Sequence, residues 1–169
     1  IRDLVAVNDC VTGMVVYLSD DGNDNNDGKT AKTAFKTINK AIESVANDGT
    51  VMIADKYSVP ASFTWNDHSK HIKISGGNFD TSLNGSLRIN DAVTFTNCTM
   101  TFGKATYIYA NGNKFVIDSD VTVVDNGYQI NLHGGSTANT LPLCEQILTI
   151  SFSFTNLRAS PTASFVKLI

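Results

Sequence analysis

Short, apolar, β-prone segments recur along this chain at a nearly constant interval. The central residues of four of them, Ile53, Ile74, Phe95 and Ile117, lie 21, 21 and 22 positions apart. A fixed period of this length indicates a solenoid, in which each repeat buries its apolar face against the next. The five clearest segments are VMIA at 51–54, HIKIS at 71–75, VTFTN at 93–97, KFVID at 114–118 and ILTIS at 147–151.

Further strand candidates lie between these segments, at 87–89, 100–102, 107–110, 121–124 and 128–132. Two or three short strands per repeat are what one coil of a parallel β-helix requires. The alternative is an antiparallel sandwich with turns every few residues, and the Asn-Gly pairs at 111–112 and 126–127 would suit its hairpins. The common period favours the solenoid, of roughly five coils.

One amphipathic helix precedes the repeats. Between residues 33 and 46 the apolar residues are spaced by three and four, which predicts a helix with one buried stripe. Thr33 is the expected N-cap, and Asn47-Asp48-Gly49 is the expected stop. The stripe consists of Phe35, Ile38, Ala41, Ile42 and Val45. We expect this helix to cover one open end of the stack.

The segment around this helix, VVYLSDDGNDNNDGKTAKTAFKTINKAIESVANDGTVMIADKY at 15–57, resembles the opening of proteins of the pectate-lyase-like superfamily. The stretch TYIYANGNKFVIDSDVTVVDNGYQINLHGG also resembles repeats of large bacterial cell-surface proteins. The residues that match the opening are Tyr17, Gly22, Asp24, Asn26, Asp27, Gly28, Ala34, Phe35, Ile38, Ala41, Ile42, Gly49, Val51 and Ile53. The resemblance implies an all-β fold: a right-handed single-stranded parallel β-helix with an N-terminal capping α-helix.

We therefore expect a single β-helix domain over 1–169. Residues 1–14 would be a lead-in, 15–48 the capping strand, loop and helix, and 49–169 the coils. The chain ends with alternating apolar residues and no polar cap, which would leave an unpaired strand edge able to pair with another chain. We expect it to be part of a longer protein, or else to fold its last segment across the final coil.

Composition excludes some classes of function. The net charge is −3 and no basic run occurs, so nucleic acid is not an expected partner. No apolar stretch is long enough to span a bilayer, and any export signal is absent from this chain. Cys10, Cys98 and Cys144 lack metal-ligand spacing, and Cys98 in TNCTM is expected to be a small buried hydrophobe. No pairing among the three can be assigned.

The acidic loop at 20–28 suggests a weak calcium site. Asn23, Asn25 and Asp27 have the spacing of half an EF-hand loop, but Ala34 stands where a bidentate Glu is needed. The alternative is a solvated loop of Asx turns that leads to the helix. We expect no resident cofactor.

Two carboxylates are weak catalytic candidates. Asp118 and Asp120 would lie on the same face of a strand, and glycoside hydrolysis uses two carboxyl groups at a defined separation. Asp118-Ser119-Asp120 is also explained by a simple turn. The superfamily resemblance implies that a pectate-lyase-type elimination would need an arginine base beside calcium-binding acids. Arg88 is the arginine on a predicted coil, but a surface ion pair with Asp91 is the favoured explanation for it.

Histidines and aromatic residues complete the candidates. His68 and His71 are expected in solvated loops and His133 in a turn. An aromatic ring can stack on the C–H face of a sugar, which makes Tyr107, Tyr109 and Trp65 weak candidates for carbohydrate binding.

The leading hypothesis is a non-catalytic extracellular module of a bacterial surface protein. It would be a stalk, or an adhesin that binds a polysaccharide or host glycan. The superfamily resemblance leaves open a polysaccharide lyase or glycoside hydrolase, and a phage tailspike component, because one fold serves all of them.

Overall fold

The computed structural model describes residues 14–103, 107–126, 130–133, 148–150 and 166–168. Within these ranges the chain forms a short 3₁₀ helix (Ala31–Thr33), one α-helix, α1 (Ile38–Ser44), and fourteen strands. The strands are β1 (Val15–Leu18), β2 (Thr50–Ile53), β3 (Lys56–Ser58), β4 (His71–Ser75), β5 (Asn78–Asp80), β6 (Ser86–Arg88), β7 (Ala92–Thr96), β8 (Thr99–Thr101), β9 (Tyr107–Tyr109), β10 (Phe115–Ile117), β11 (Thr122–Val124), β12 (Ile130–His133), β13 (Leu148–Ile150) and β14 (Val166–Leu168). The described helix is too short to cross a membrane.

The strands form three parallel sheets, and each complete coil contributes one strand to each sheet. The first sheet has the order β1-β2-β4-β7-β10-β13, the second β11-β8-β5-β3 and the third β14-β12-β9-β6. Three complete coils are described, β4 to β6, β7 to β9 and β10 to β12, with partial coils on either side. The prediction of an all-β parallel solenoid with one helix on its N-terminal side is confirmed. The described part comprises about three coils, and the expectation of roughly five extends over residues outside the described ranges.

Register in the first sheet aligns the inward apolar residues into one column. Val51 pairs with Ile74, Ile74 with Phe95, and Phe95 with Ile117. All four side chains are at most 3% exposed. The sequence period placed Ile53 in this column, which is wrong by two residues. Because side chains alternate with a period of two, that shift leaves the inward face unchanged.

Aromatic rings occupy much of the space between the sheets. Phe79 of the second sheet packs edge-on against Phe95 of the first, with ring centres 5.0 Å apart. Phe95 in turn contacts Phe115 of the next coil at 5.8 Å. These rings link neighbouring coils as well as neighbouring sheets, which is how short strands can share one continuous core.

The predicted strands all coincide with observed strands to within a few residues. Three observed strands, β3, β5 and β14, were not predicted from the sequence. β3 and β5 each carry one inward aromatic residue, Tyr57 and Phe79, next to polar neighbours. Three residues give too little alternation for a period to be recognised.

The helix is shorter than predicted. It covers Ile38–Ser44 instead of 33–46, and its N-cap is Thr37, whose side chain accepts from the Lys40 amide. The cause is Asp24, whose carboxylate accepts from the Lys36 and Thr37 amides and from the Thr37 hydroxyl at 2.8–2.9 Å. These bonds and the pairing of Phe35 with Leu18 keep residues 34–37 out of the helix. The predicted stripe is buried throughout.

The helix and the loop before it cover the end of the first sheet. α1 packs against β1, the terminal strand. The outer edge of β1 is already bonded: Tyr17 N–H donates to Gly28, and Ser19 N–H donates to Phe35. Gly28 has a φ of +66°, and a Cβ there would collide with the Phe35 ring. The exposed edge that a solenoid end would offer is therefore blocked.

We expect Phe95→Ala to lower the free energy of unfolding by about 3–5 kcal/mol, because it leaves a cavity shared by two sheets and two coils. Chemical denaturation followed by circular dichroism measures this. Thr94→Ala on the same strand is the matched control and should change the stability by less than about 0.5 kcal/mol. Equal effects of the two substitutions would contradict the assignment of the inward face.

Candidate functional site

The two candidate catalytic carboxylates lie in the turn between β10 and β11. Asp120 accepts from the Asn97 amide at 2.8 Å and from the Thr96 hydroxyl at 2.9 Å, both on the preceding coil. Asp118 accepts from the amide of its neighbour Ser119 at 2.7 Å. Asp120 thus joins two coils and Asp118 stabilises its own turn, so the structure gives both carboxylates a structural explanation.

A shallow polar cleft lies beside Asp120. It is lined by Gly77, Asn97, Cys98, Thr99, Asp120 and Thr122. Cys98 is 7% exposed, as expected of a small buried hydrophobe. Burial, with a smaller contribution from the negative charge of Asp120, raises the pKa of the Cys98 thiol to about 12. The thiol is therefore protonated at neutral pH and is not an activated nucleophile.

The candidate calcium ligands are engaged with their own loop. Asn23 Oδ1 accepts from the Asn25 amide at 2.9 Å, and Asp27 Oδ1 accepts from the Lys29 amide at 3.1 Å. Hydrogen bonds from the Thr33 hydroxyl and the Lys29 amide lower the pKa of Asp27. These contacts are the Asx turns of the alternative interpretation.

Potential metal ligands do not cluster in the described ranges. There, no group of three or more His, Cys, Asp or Glu side chains is placed to hold a metal ion.

An outward-facing stack of side chains runs across the third sheet; we call Arg88, Tyr107, Tyr109 and His133 the outer ladder. The Arg88 guanidinium lies 4.8 Å from the centre of the Tyr109 ring. The His133 ring lies 4.8 Å from the same ring and within 15° of parallel. Because β9 lies between β6 and β12, Arg88 and His133 cover opposite faces of Tyr109.

The three candidate sugar-stacking residues therefore differ in what they can offer a ligand. A sugar stacks on an open aromatic face, and both faces of Tyr109 are occupied. Trp65 lies in the loop where the sequence placed it, but its ring is turned into the core and is 2% exposed. Tyr107 is 37% exposed and meets the His133 ring at 5.9 Å. Of the three, Tyr107 is the most exposed and the best placed to offer a ring to a ligand.

Asp91 is the hub of a buried polar cluster that was not predicted from the sequence. Its Oδ2 accepts from Trp65 Nε1 at 2.8 Å and lies 2.8 Å from His68 Nδ1. Its Oδ1 accepts from the amides of His68 and Lys70 at 3.1 and 3.0 Å. The expected Arg88–Asp91 surface ion pair is wrong, because Asp91 is 1% exposed and faces the preceding coil.

The histidines also differ from expectation, since all three have defined contacts. His68 pairs with Asp91, and His71 Nδ1 lies 2.7 Å from Asp48. His133 ends strand β12, where a turn was expected. One signal could have suggested the first of these pairs. Asp91 lies between two strand-like apolar segments, at 87–89 and 93–97, and a carboxylate at such a position is often bonded when it is buried.

No family model, no curated protein and no solved structure matches this chain. The parallel solenoid is established by the coordinates alone. Membership of the pectate-lyase-like superfamily and the likeness to bacterial surface repeats stay predictions.

We expect Asp120→Ala to lower the free energy of unfolding by about 1–2 kcal/mol, because the Asn97 amide and the Thr96 hydroxyl lose their acceptor. Urea denaturation of the purified chain measures the change. Asp118→Ala is the control, and its effect should stay within about 0.5 kcal/mol because the Asp118 carboxylate bonds to the neighbouring Ser119 and not to another coil. A larger loss for Asp118→Ala than for Asp120→Ala would contradict these structural roles.

Proposed function

We propose that this chain is a non-catalytic extracellular solenoid module that serves as a rigid spacer, or stalk, of a bacterial surface protein. The observation that carries the proposal is where the polar side chains of the coils are directed. Several of them, including those around the buried Asp91, bond adjacent coils to each other.

Side-chain contacts between adjacent coils support this. Asp120 joins the turn that follows β10 to the turn that follows β7. An asparagine ladder joins three coils in succession, since Asn111 donates to Asn90, and Asn90 donates to the Trp65 carbonyl. These hydrogen bonds connect neighbouring repeats, and the interfaces between neighbouring repeats are what stabilise a solenoid.

Ion pairs and hydroxyl bonds do the same on the second sheet. Lys56 Nζ lies 2.7 Å from Asp80 on the next coil. Thr101 donates to Asn78 on the preceding coil at 2.9 Å. Together with the backbone ladders of three sheets, these contacts resist bending or separation of the coils, as a spacer requires.

The extracellular, bacterial setting is supported by the resemblance of residues 15–57 and of the TYIYANG stretch to surface β-helix proteins. Binding of a polysaccharide or host glycan is the secondary part of the proposal. It is supported by Tyr107, which keeps an accessible ring on the outer ladder.

A lyase or hydrolase function has no specific observation in its favour within the described residues. Glycoside hydrolysis requires two carboxyl groups on either side of a scissile bond, one of them with a raised pKa. The carboxylates of Asp118 and Asp120 accept hydrogen bonds from backbone amides instead. Arg88 is stacked on Tyr109 and donates to the Ser86 hydroxyl, which does not make it a base.

The proposal predicts no polysaccharide turnover. Incubation of the purified chain with a panel of uronic-acid and neutral polymers should release no reducing ends or unsaturated products above a heat-denatured control. The Asp118→Asn/Asp120→Asn double variant should give the same baseline. Turnover by the native chain that the double variant loses would overturn the non-catalytic assignment in favour of the enzyme.

A further inference from the structure

Residues 64–71, which we call the strap, lie between helix α1 and the coil that begins with β7. On the helix side, Asn39 donates to the Thr64 carbonyl at 2.8 Å, and its Oδ1 accepts from the Asn66 amide at 3.1 Å. The strap thus holds the helix from one side.

Lys70 holds the end of the same helix. Its ammonium donates to the carbonyl oxygens of Ile42, Glu43 and Val45 at 2.7, 2.9 and 2.6 Å. Carbonyls at a helix C-terminus have no partner inside the helix and carry partial negative charge, so a lysine is well suited to cap them. Lys70 is therefore the principal polar link between the strap and the end of the helix.

On the solenoid side, the strap depends on Asp91. Four hydrogen bonds from Trp65, His68 and Lys70 converge on this one carboxylate, which is 1% exposed. A second contact, from Asn90 to the Trp65 carbonyl at 2.6 Å, does not involve a titratable group. Loss of the Asp91 charge would thus weaken most of the polar attachment at once.

The direction of titration follows from these contacts. Burial acts to raise the pKa of Asp91, but hydrogen bonds from His68, the Lys70 amide and Trp65 outweigh it, so the pKa lies below its usual value. A carboxyl group with a lowered folded pKa stabilises the structure above the ordinary pKa of Asp. That stabilisation is lost as the pH falls through the folded value.

The strap carries one carboxylate of its own, Asp67, which accepts from the Ser69 amide and hydroxyl. Among the described residues, His68 is the titratable side chain in contact with the Asp91 carboxylate. The Lys70 ammonium is directed to the helix carbonyls, and His71 pairs with Asp48 at the turn after the helix. On the helix itself, Lys40 pairs with Glu43 at 3.0 Å.

We propose that the strap attaches the helix to the solenoid through contacts that weaken in acid. When Asp91 takes up a proton, Trp65, His68 and Lys70 lose their shared anionic acceptor, so the strap, and with it the Lys70 cap of α1, loosens while the coils remain folded. The chain therefore contains a strap that loosens before the scaffold unfolds.

The chain has a single tryptophan, and it is Trp65, so its fluorescence reports on the strap directly. We expect acidification below about pH 4 to shift the emission to longer wavelength while far-UV circular dichroism retains its β signal. Asp91→Asn should abolish this acid transition, with the emission already shifted at pH 7. Asp80→Asn is the matched control: Asp80 is also buried and its pKa is also lowered, but it pairs with Lys56 away from the strap, so the transition should persist.

A second variant distinguishes loosening of the strap from misfolding of the whole chain. Lys70→Met leaves Asp91 and Trp65 in place, so its emission should match the native chain at pH 7. Amide exchange over residues 38–44 should become about tenfold to a hundredfold faster, because the helix carbonyls lose a charged donor.

Any of three outcomes would overturn the proposal. The first is loss of the β signal at the same pH as the emission shift. The second is an unchanged acid transition in Asp91→Asn. The third is native exchange rates over the helix in Lys70→Met.

Discussion

The whole structure depends on one constraint: no single coil of this chain can bury its own apolar residues. Strands β1, β2, β4, β7 and β10 of the first sheet each carry two inward apolar side chains, and these depend for their burial on the strands above and below. Parallel, in-register pairing places Val51, Ile74, Phe95 and Ile117 above one another. The apolar side chain of each coil is thereby covered by that of the next. The burial of the column to 3% exposure or less is a property of the stack and not of any coil alone.

The polar residues follow from the same constraint. Stacking creates a turn directly above another turn, and buried or half-buried polar groups there must find partners in the neighbouring coil. Asp91 and Asp120 are both used in this way, each accepting backbone and side-chain hydrogen bonds from the coil before it. Asp120, a candidate catalyst in the sequence, thereby holds two coils together, and this use of its carboxylate is why we propose a spacer rather than an enzyme.

Sequence alone predicts what is periodic and local. The helix stripe and most strands are recognised because their apolar spacing extends over enough residues. Contacts between coils are not recognised. Asp24, twelve residues before Lys36 in the chain, accepts a hydrogen bond from its amide and keeps the helix from starting earlier. Asp91 bonds His68 on the preceding coil rather than the nearby Arg88. The ring of Trp65 is turned inward by that same distant carboxylate, so a polar local context gave no indication of its burial.

The central claim is that neighbouring strands run parallel and in the observed register. Nuclear Overhauser contacts in an isotope-labelled sample test it most directly, because antiparallel strands bring Hα atoms of opposite residues close together and parallel strands do not. We expect inter-strand amide contacts that place Ile74 beside Phe95, with no strong Hα–Hα contacts between β4 and β7. Strong Hα–Hα contacts between these two strands, or contacts shifted by one residue, would contradict the claim.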